Sequence, residues 1–354
     1  MRKTLIAAII TVMVLPLSLV GCGAQSAPTT SSAQPTPSKD VSAKDFLKLV
    51  KTIDLPGKGG HGDIVAYDPD QKAVYLAQTP DNNVLVISSD TQDITKVIPR
   101  MNGCNGIAVG PKYIYVANAT DNKLAVIEKG TWNVVANVDT GGKTPDAVYY
   151  DAKDNKIFVA NDDSNTMGVI STDAPFKLIS SFPLSSDKAV SGPDLGVLIP
   201  EKGQLFQSVD NYVLVIDTAT NKILKKFYTD VEITAKGGTK DMIYDPGSNI
   251  IWLGTTSKKV FAMNPDTGKM TEVAAQSSMD QITFDPASKM VFIGEGGSGS
   301  LEVIDTTSKK SIGAIKLDEG FHTLDVDTNK HLVYAYLNTI NKVAIYQENM
   351  DLLK

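Results

Sequence analysis

Apolar and polar residues alternate along this chain in short runs, and the runs recur. The plainest copy is Lys112-Tyr-Ile-Tyr-Val-Ala-Asn118, followed by Asp121-Asn-Lys-Leu-Ala-Val-Ile127: a strand, a polar turn and a second strand. The same arrangement returns as Lys156-Ile-Phe-Val-Ala-Asn161 with Met167-Gly-Val-Ile170, and as Ala73-Val-Tyr-Leu-Ala-Gln78 with Asn83-Val-Leu-Val-Ile87. Period-two alternation commits one face of each strand to a core.

Each unit is introduced by a polar residue and an alternating run that usually closes on Asp, as in Asp63-Ile-Val-Ala-Tyr-Asp68 and Asp146-Ala-Val-Tyr-Tyr-Asp151. Seven such openers stand at residues 63, 105, 146, 194, 240, 280 and 322, separated by 42, 41, 48, 46, 40 and 42 residues. Four short strands in about 40–45 residues make one blade of a β-propeller. The pattern predicts an all-β, seven-bladed propeller with four antiparallel strands per blade. The seventh unit ends after its third strand, near Tyr346, while an unassigned strand, Phe46–Leu55, precedes the first unit. That strand is expected to complete the last blade and leave no free sheet edge in the ring.

The segments Tyr115-Val-Ala-Asn118 and Phe158-Val-Ala-Asn161 resemble the YVTN-repeat β-propeller family. So do Val213-Leu-Val-Ile-Asp217 with Thr218 and Thr220, and Leu301-Glu-Val-Ile-Asp305 with Thr306. The similarity runs from about Lys51 to Tyr346 and is clearest in the second and third units. The resemblance implies blades and no catalytic residue. Members of that family include exported and surface-associated proteins, a few of them reported to bind nucleic acid or act in adhesion.

The N-terminus changes the picture of where the chain works. Arg2 and Lys3 precede an apolar run from Leu5 to Val20 that ends in Leu19-Val20-Gly21-Cys22. The run is shorter than an ordinary membrane span and flanked like an export signal. Its end matches a bacterial lipobox, which predicts diacylation of Cys22; an ordinary secretory signal with a chance cysteine is the competing reading. Residues 23–39, rich in Ser, Thr, Pro, Ala and Gln, have the composition of a flexible tether. The expected organisation is a signal peptide over 1–21, a tether with lipidated Cys22 over 22–42, and the propeller over 43–354. The expected partner of the anchor is the extracytoplasmic face of a bacterial membrane, where acyl chains contribute about 0.8 kcal/mol per buried CH₂. With Cys22 acylated, Cys104 has no disulfide partner and is expected to be a small buried residue.

The net charge of −6 argues against a nucleic-acid surface. First strands line the channel of a propeller, so their openers are expected to ring one mouth: Asp63, Asn105, Asp146, Asp194, Lys240, Asp280 and His322, with Asp241 beside Lys240. Four carboxylates against one lysine favour a cation or a cationic ligand; the competing reading makes these Asp residues loop caps. Ring closure brings the first and last units together, so His61, Asp63, Asp280 and His322 form a candidate site for a divalent metal, the one cofactor considered. Loops over residues 180–193 and 229–239 are expected to cover the same mouth. The nucleophile elbow, the zinc-protease helix and the phosphate-binding loop are absent, and Gly294–Gly299 reads as a turn. The expectation is a monomeric binding or scaffold module for a protein or small cationic ligand, with a metal-dependent hydrolase or lyase at the same mouth as the alternative.

Overall fold

A computed structural model describes residues 41–185, 191–234 and 237–354. These residues form seven four-stranded antiparallel sheets, each running in chain order from the channel outward, apart from the last. Blades one to six span residues 65–99, 104–139, 145–183, 193–228, 239–274 and 282–316. Blade seven has Leu324–Asp327, Leu332–Leu337 and Lys342–Glu348, and its outer strand is Leu47–Asp54 from the other end of the chain. Leu47 pairs with Glu348 and Asp54 with Lys342, with a bulge between Leu49 and Lys51. The predicted closure is therefore the observed one, with the strand one residue shorter at each end. Phe46 ends a helical turn, Ala43–Phe46, capped by the Ser42 hydroxyl, instead of opening the strand. Its fully buried ring stacks 6.5 Å from Phe292 of blade six.

The core is divided among seven layers between consecutive blades. Val116 of blade two packs with Val84 and Val86 of blade one, whereas its neighbours Tyr115 and Ala117 pack with Ile157 and Val159 of blade three. A last layer joins Val343 and Ile345 of blade seven to Leu76 and Leu85 of blade one. Period-two alternation thus serves both faces of every sheet, because each face meets a neighbour. The second and third strands are buried almost throughout for that reason, while the outer strands show Leu49, Val50, Ile179 and Leu224 to solvent.

Turns follow local rules. Asn82, Asn122, Asn165 and Asn341 take left-handed φ values of 49–53° between second and third strands, a conformation Asn tolerates better than most residues. Where an Asp closes the inner strand it caps the turn behind it: Asp68 accepts from the amides of Asp70 and Gln71, and Asp327 from those of Asn329 and Lys330. Cys104 is fully buried and its thiol points at the Asn83 carbonyl, as expected of a small core residue. Residues 180–183, expected in a loop, belong instead to the outer strand Leu178–Pro183, paired with Thr166–Ser171. The expected signal peptide, and the tether with Cys22 up to residue 40, lie outside the described residues. Of the remaining two tether positions, Val41 packs against the layer between blades six and seven.

Candidate functional site: an acidic channel mouth

The openers hold their places through a shared irregularity. In blades two to five the inner strand loses register at the opener, between Cys104 and Ile107, Pro145 and Val148, Pro193 and Gly196, and Thr239 and Met242. A bulge leaves a residue out of the ladder and re-aims its side chain, here into the channel. Gly106 follows one opener because a Cβ there would lie 2.0 Å from the Asp146 carbonyl oxygen; adjacent inner strands approach that closely. In blades one and six, Asp63 and Asp280 precede the strand and are held by amide bonds to the carbonyls of Ala77 and Gly294, at 3.2 and 3.0 Å.

The result is a cavity of about 310 Å³ lined by His61, Asp63, Asn105, Asp146, Asp162, Asp194, Lys240, Asp280 and Gln281, together with Ser191, Pro193 and Gly237. Six of the seven ring residues named from the sequence line it. Ser191 and Gly237 come from the two loops expected over the mouth, whereas Pro193, expected in the first loop, opens the inner strand of blade four. Three pairs of consecutive openers touch around the ring. Asn105 Nδ2 donates to Asp146 Oδ1 at 3.0 Å, and Lys240 Nζ lies 2.6 Å from Asp194 Oδ2 and 3.4 Å from Asp280 Oδ1. His61 Nε2 lies 3.3 Å from Asp63 Oδ1.

The seventh member departs from the expectation. His322 is buried and lies flat against His61, with ring centres 4.6 Å apart, and its Nδ1 meets the Gly320 carbonyl at 2.6 Å. Asp241 departs too: its carboxylate accepts from the amides of Met242 and of Ile282 in blade six, so it fastens two blades rather than facing the channel. The same contacts engage the four residues expected to hold a metal. His61 engages Asp63, Asp280 turns to Lys240, and His322 stacks with its Nδ1 on Gly320. Among the described residues, no group of three such side chains at the mouth brings ligand atoms within 4.8 Å of one another.

The electrostatics of the mouth are those of a negatively charged, partly dry recess. Burial pushes Asp146 well above the usual carboxylate range, and the charges of Asp63, Asp194 and Asp162 add to the push although its carboxylate still faces the cavity. Burial likewise raises Asp194, with Lys240 opposing it. Asp162 is raised to about 6 by burial and by Asp194 and Asp163. Burial acts to lower Lys240, but Asp194 and Asp280 outweigh it and keep the ammonium protonated. The hydrogen bond to Asp63 raises His61. Lys240 thus acts as a built-in counter-ion, and the carboxylates around it outnumber it.

Asp162 and Gln281 escaped the sequence reading. Asp162 sits in the turn between second and third strands of blade three, one residue after the family-like Phe158-Val-Ala-Asn161 segment; turns of that class lie on the mouth side. Gln281 immediately follows an opener, and its amide reaches the Asp63 carbonyl across the ring closure.

No protein-family model and no curated protein matches this chain. Among solved structures it is similar to a chain from Kuenenia stuttgartiensis hydrazine synthase, with a TM-score of 0.70 at 14% identity over 83% of this chain and 97% of that one. The likeness shows the fold alone. What this propeller binds has to be argued from its own mouth.

Proposed function

We propose that this chain is an exported propeller of the YVTN-repeat kind, anchored through Cys22 to the outer face of a bacterial membrane, and that its acidic mouth binds a ligand presenting a cationic nitrogen. The observation that carries the reading is the convergence of Asp63, Asp146, Asp162, Asp194 and Asp280 on one cavity with Lys240 as the one lysine among the described residues that line it. A cavity of about 310 Å³ is at the small end of ligand pockets, and a lining this polar suits a charged group rather than an apolar body. Lys240 illustrates the chemistry, since an alkylammonium already lies between two of the carboxylates. Focusing of field lines in an acidic recess favours cation capture and makes it salt-dependent.

The test is titration calorimetry of the purified chain with spermidine, with citrate as the anionic control. Binding of spermidine that weakens with salt, and weakens further in Asp146→Asn and Asp162→Asn, supports the reading. Both replacements remove carboxylates held under repulsion, so a loss of binding would not reflect unfolding. Absence of binding to spermidine, or equal binding of citrate, refutes it. For the anchor, Cys22→Ser is expected to move the protein from the membrane fraction to the soluble one; an unchanged distribution refutes lipidation at this residue.

The alternative, a hydrolase or lyase at the same mouth, rests on the His61–Asp63 pair, an imidazole oriented by a carboxylate beside an open cavity. Exchanging both His61 and His322 for Ala separates the two readings. Cation binding survives under the first, and turnover is lost under the second.

A further inference from the structure

On the face opposite the mouth, blade seven departs from its sisters. In blades one, six and seven the closing Asp of the inner strand lies near the residue that follows, or ends, the third strand of the next blade. In blades one, two, four and six that place holds Ser89, Lys129, Thr218 and Thr306. Between blades one and two, and between blades seven and one, the pairing is complementary. Lys129 Nζ lies 2.5 Å from Asp68 in a fully buried ion pair, and the Ser89 hydroxyl donates to Asp327. In blade seven the same place holds Glu348, so a second carboxylate faces Asp285 of blade six.

Glu348 is 2% exposed, and neither of its carboxylate oxygens has a hydrogen-bond partner. Ser288 lies nearby, but its hydroxyl is directed at the Asp285 carbonyl oxygen, at 3.5 Å. The third member is His331, in a left-handed turn position (φ 57°) between the first two strands of blade seven. Its Nδ1 lies 2.6 Å from Asp285 Oδ2, and its carbonyl accepts the Glu348 amide at 3.0 Å. One ligand atom from each of Asp285, His331 and Glu348 falls within 4.8 Å of the other two. Two buried carboxylates side by side with one imidazole leave the group short of positive charge, whereas Lys129 makes up that shortage between blades one and two.

We propose that Asp285, His331 and Glu348 bind one divalent first-row metal ion of the zinc or manganese class, which clamps blade six to blade seven at the ring closure. Imidazole nitrogen and carboxylate oxygen are the donors such ions take, at about 2.0–2.2 Å, with water completing the set. His331, a quarter exposed, leaves the ion a path to solvent. Asp285 keeps its other oxygen on the Ala287 amide at 2.8 Å, which fixes the carboxylate in place. Glu348 ends the strand that pairs with Leu47–Asp54, so the ion also ties down the strand that closes the ring.

The experiment uses the purified full-length chain, stripped with chelator and titrated separately with Zn²⁺ and Mn²⁺. Metal content, heat of binding and melting temperature are followed. The expected result is one tight ion per chain and a higher melting temperature. Glu348→Gln is expected to fold, because it removes a buried charge, and to lower affinity by more than about 100-fold, since losing even an outer-sphere partner costs 10–100-fold. Asp63→Asn at the mouth is expected to change none of these readouts. Absence of tight binding by either metal overturns the proposal. So does a metal response that persists in Glu348→Gln and disappears in Asp63→Asn, which would put the ion at the mouth.

Discussion

Replacing Lys240 with Met keeps the apolar stem and removes the ammonium that sits 2.6 Å from Asp194 and 3.4 Å from Asp280. At an effective dielectric near 20, those distances correspond to about 6 and 5 kcal/mol of gross attraction, before desolvation of the ammonium is subtracted. Breaking a buried pair by removing one partner costs about 3–5 kcal/mol. Protonation sets a ceiling for each carboxylate. Starting from the ordinary value of 3.8, holding Asp194 neutral costs at most about 5 kcal/mol at about pH 7.5 and about 1.6 kcal/mol at about pH 5. Asp194 already stands above its ordinary value, and losing Lys240 raises it further. The native state then holds a proton that the unfolded chain has released, so stability falls as pH rises from 3.8 toward the folded value. Urea unfolding of Lys240→Met should therefore show a loss of about 3 kcal/mol relative to the parent at about pH 7.5, and less than about 1.6 kcal/mol at about pH 5. The mouth loses its internal counter-ion, so affinity for spermidine should rise at the higher pH. A loss below about 0.5 kcal/mol, within the scatter of ordinary surface substitutions, or an equal loss at both pH values, would refute the counter-ion assignment.

Asp162→Asn should stabilise the protein above about pH 6 by about 1 kcal/mol, after allowance for the exposed part of the carboxylate. The gain should vanish below about pH 4, where the parent carboxyl is protonated in both states; a constant or opposite effect in urea unfolding contradicts the raised value. Phe46→Ala removes a fully buried ring at the ring closure and should cost about 3–5 kcal/mol, again read by urea unfolding. A cost under about 1 kcal/mol would mean that the helical turn does not hold the closing strand. The Cys104 thiol, buried and pushed up to about 12 first of all by that burial, should stay silent to a thiol reagent in the native state and react only on unfolding. Rapid labelling of the folded protein would place it at an accessible site.

How much of the molecule is readable without coordinates depends on whether an interaction is local. Blade count, ring closure by the N-terminal strand and the burial of Tyr115 follow from alternation and spacing, because a strand with period two has to bury a face wherever it goes. The ring Asp63, Asn105, Asp146, Asp194, Lys240 and Asp280 was legible for the same reason: each opener occupies one fixed place in its unit. His322 occupies that place too, yet it turned inward to stack on His61, and nothing in its own unit announces a partner 261 residues away. Asp162 was missed because a turn residue counts as solvent-facing until the channel axis is known. Glu348 passes in the sequence as an ordinary polar strand end.

The order of apolar and polar residues alone therefore determined the architecture: seven units, four strands each, and a closure shared by the two ends of the described chain. Alternation is a one-dimensional code, and a propeller is a one-dimensional repeat bent into a ring. Only the tertiary structure decided the chemistry. It set which carboxylates share a cavity, that Lys240 neutralises part of them, and that Glu348 faces Asp285 instead of a hydroxyl or an ammonium. Those facts depend on contacts between blades, where charges distant in sequence meet at short range in a partly dry environment, and no spacing along the chain encodes them.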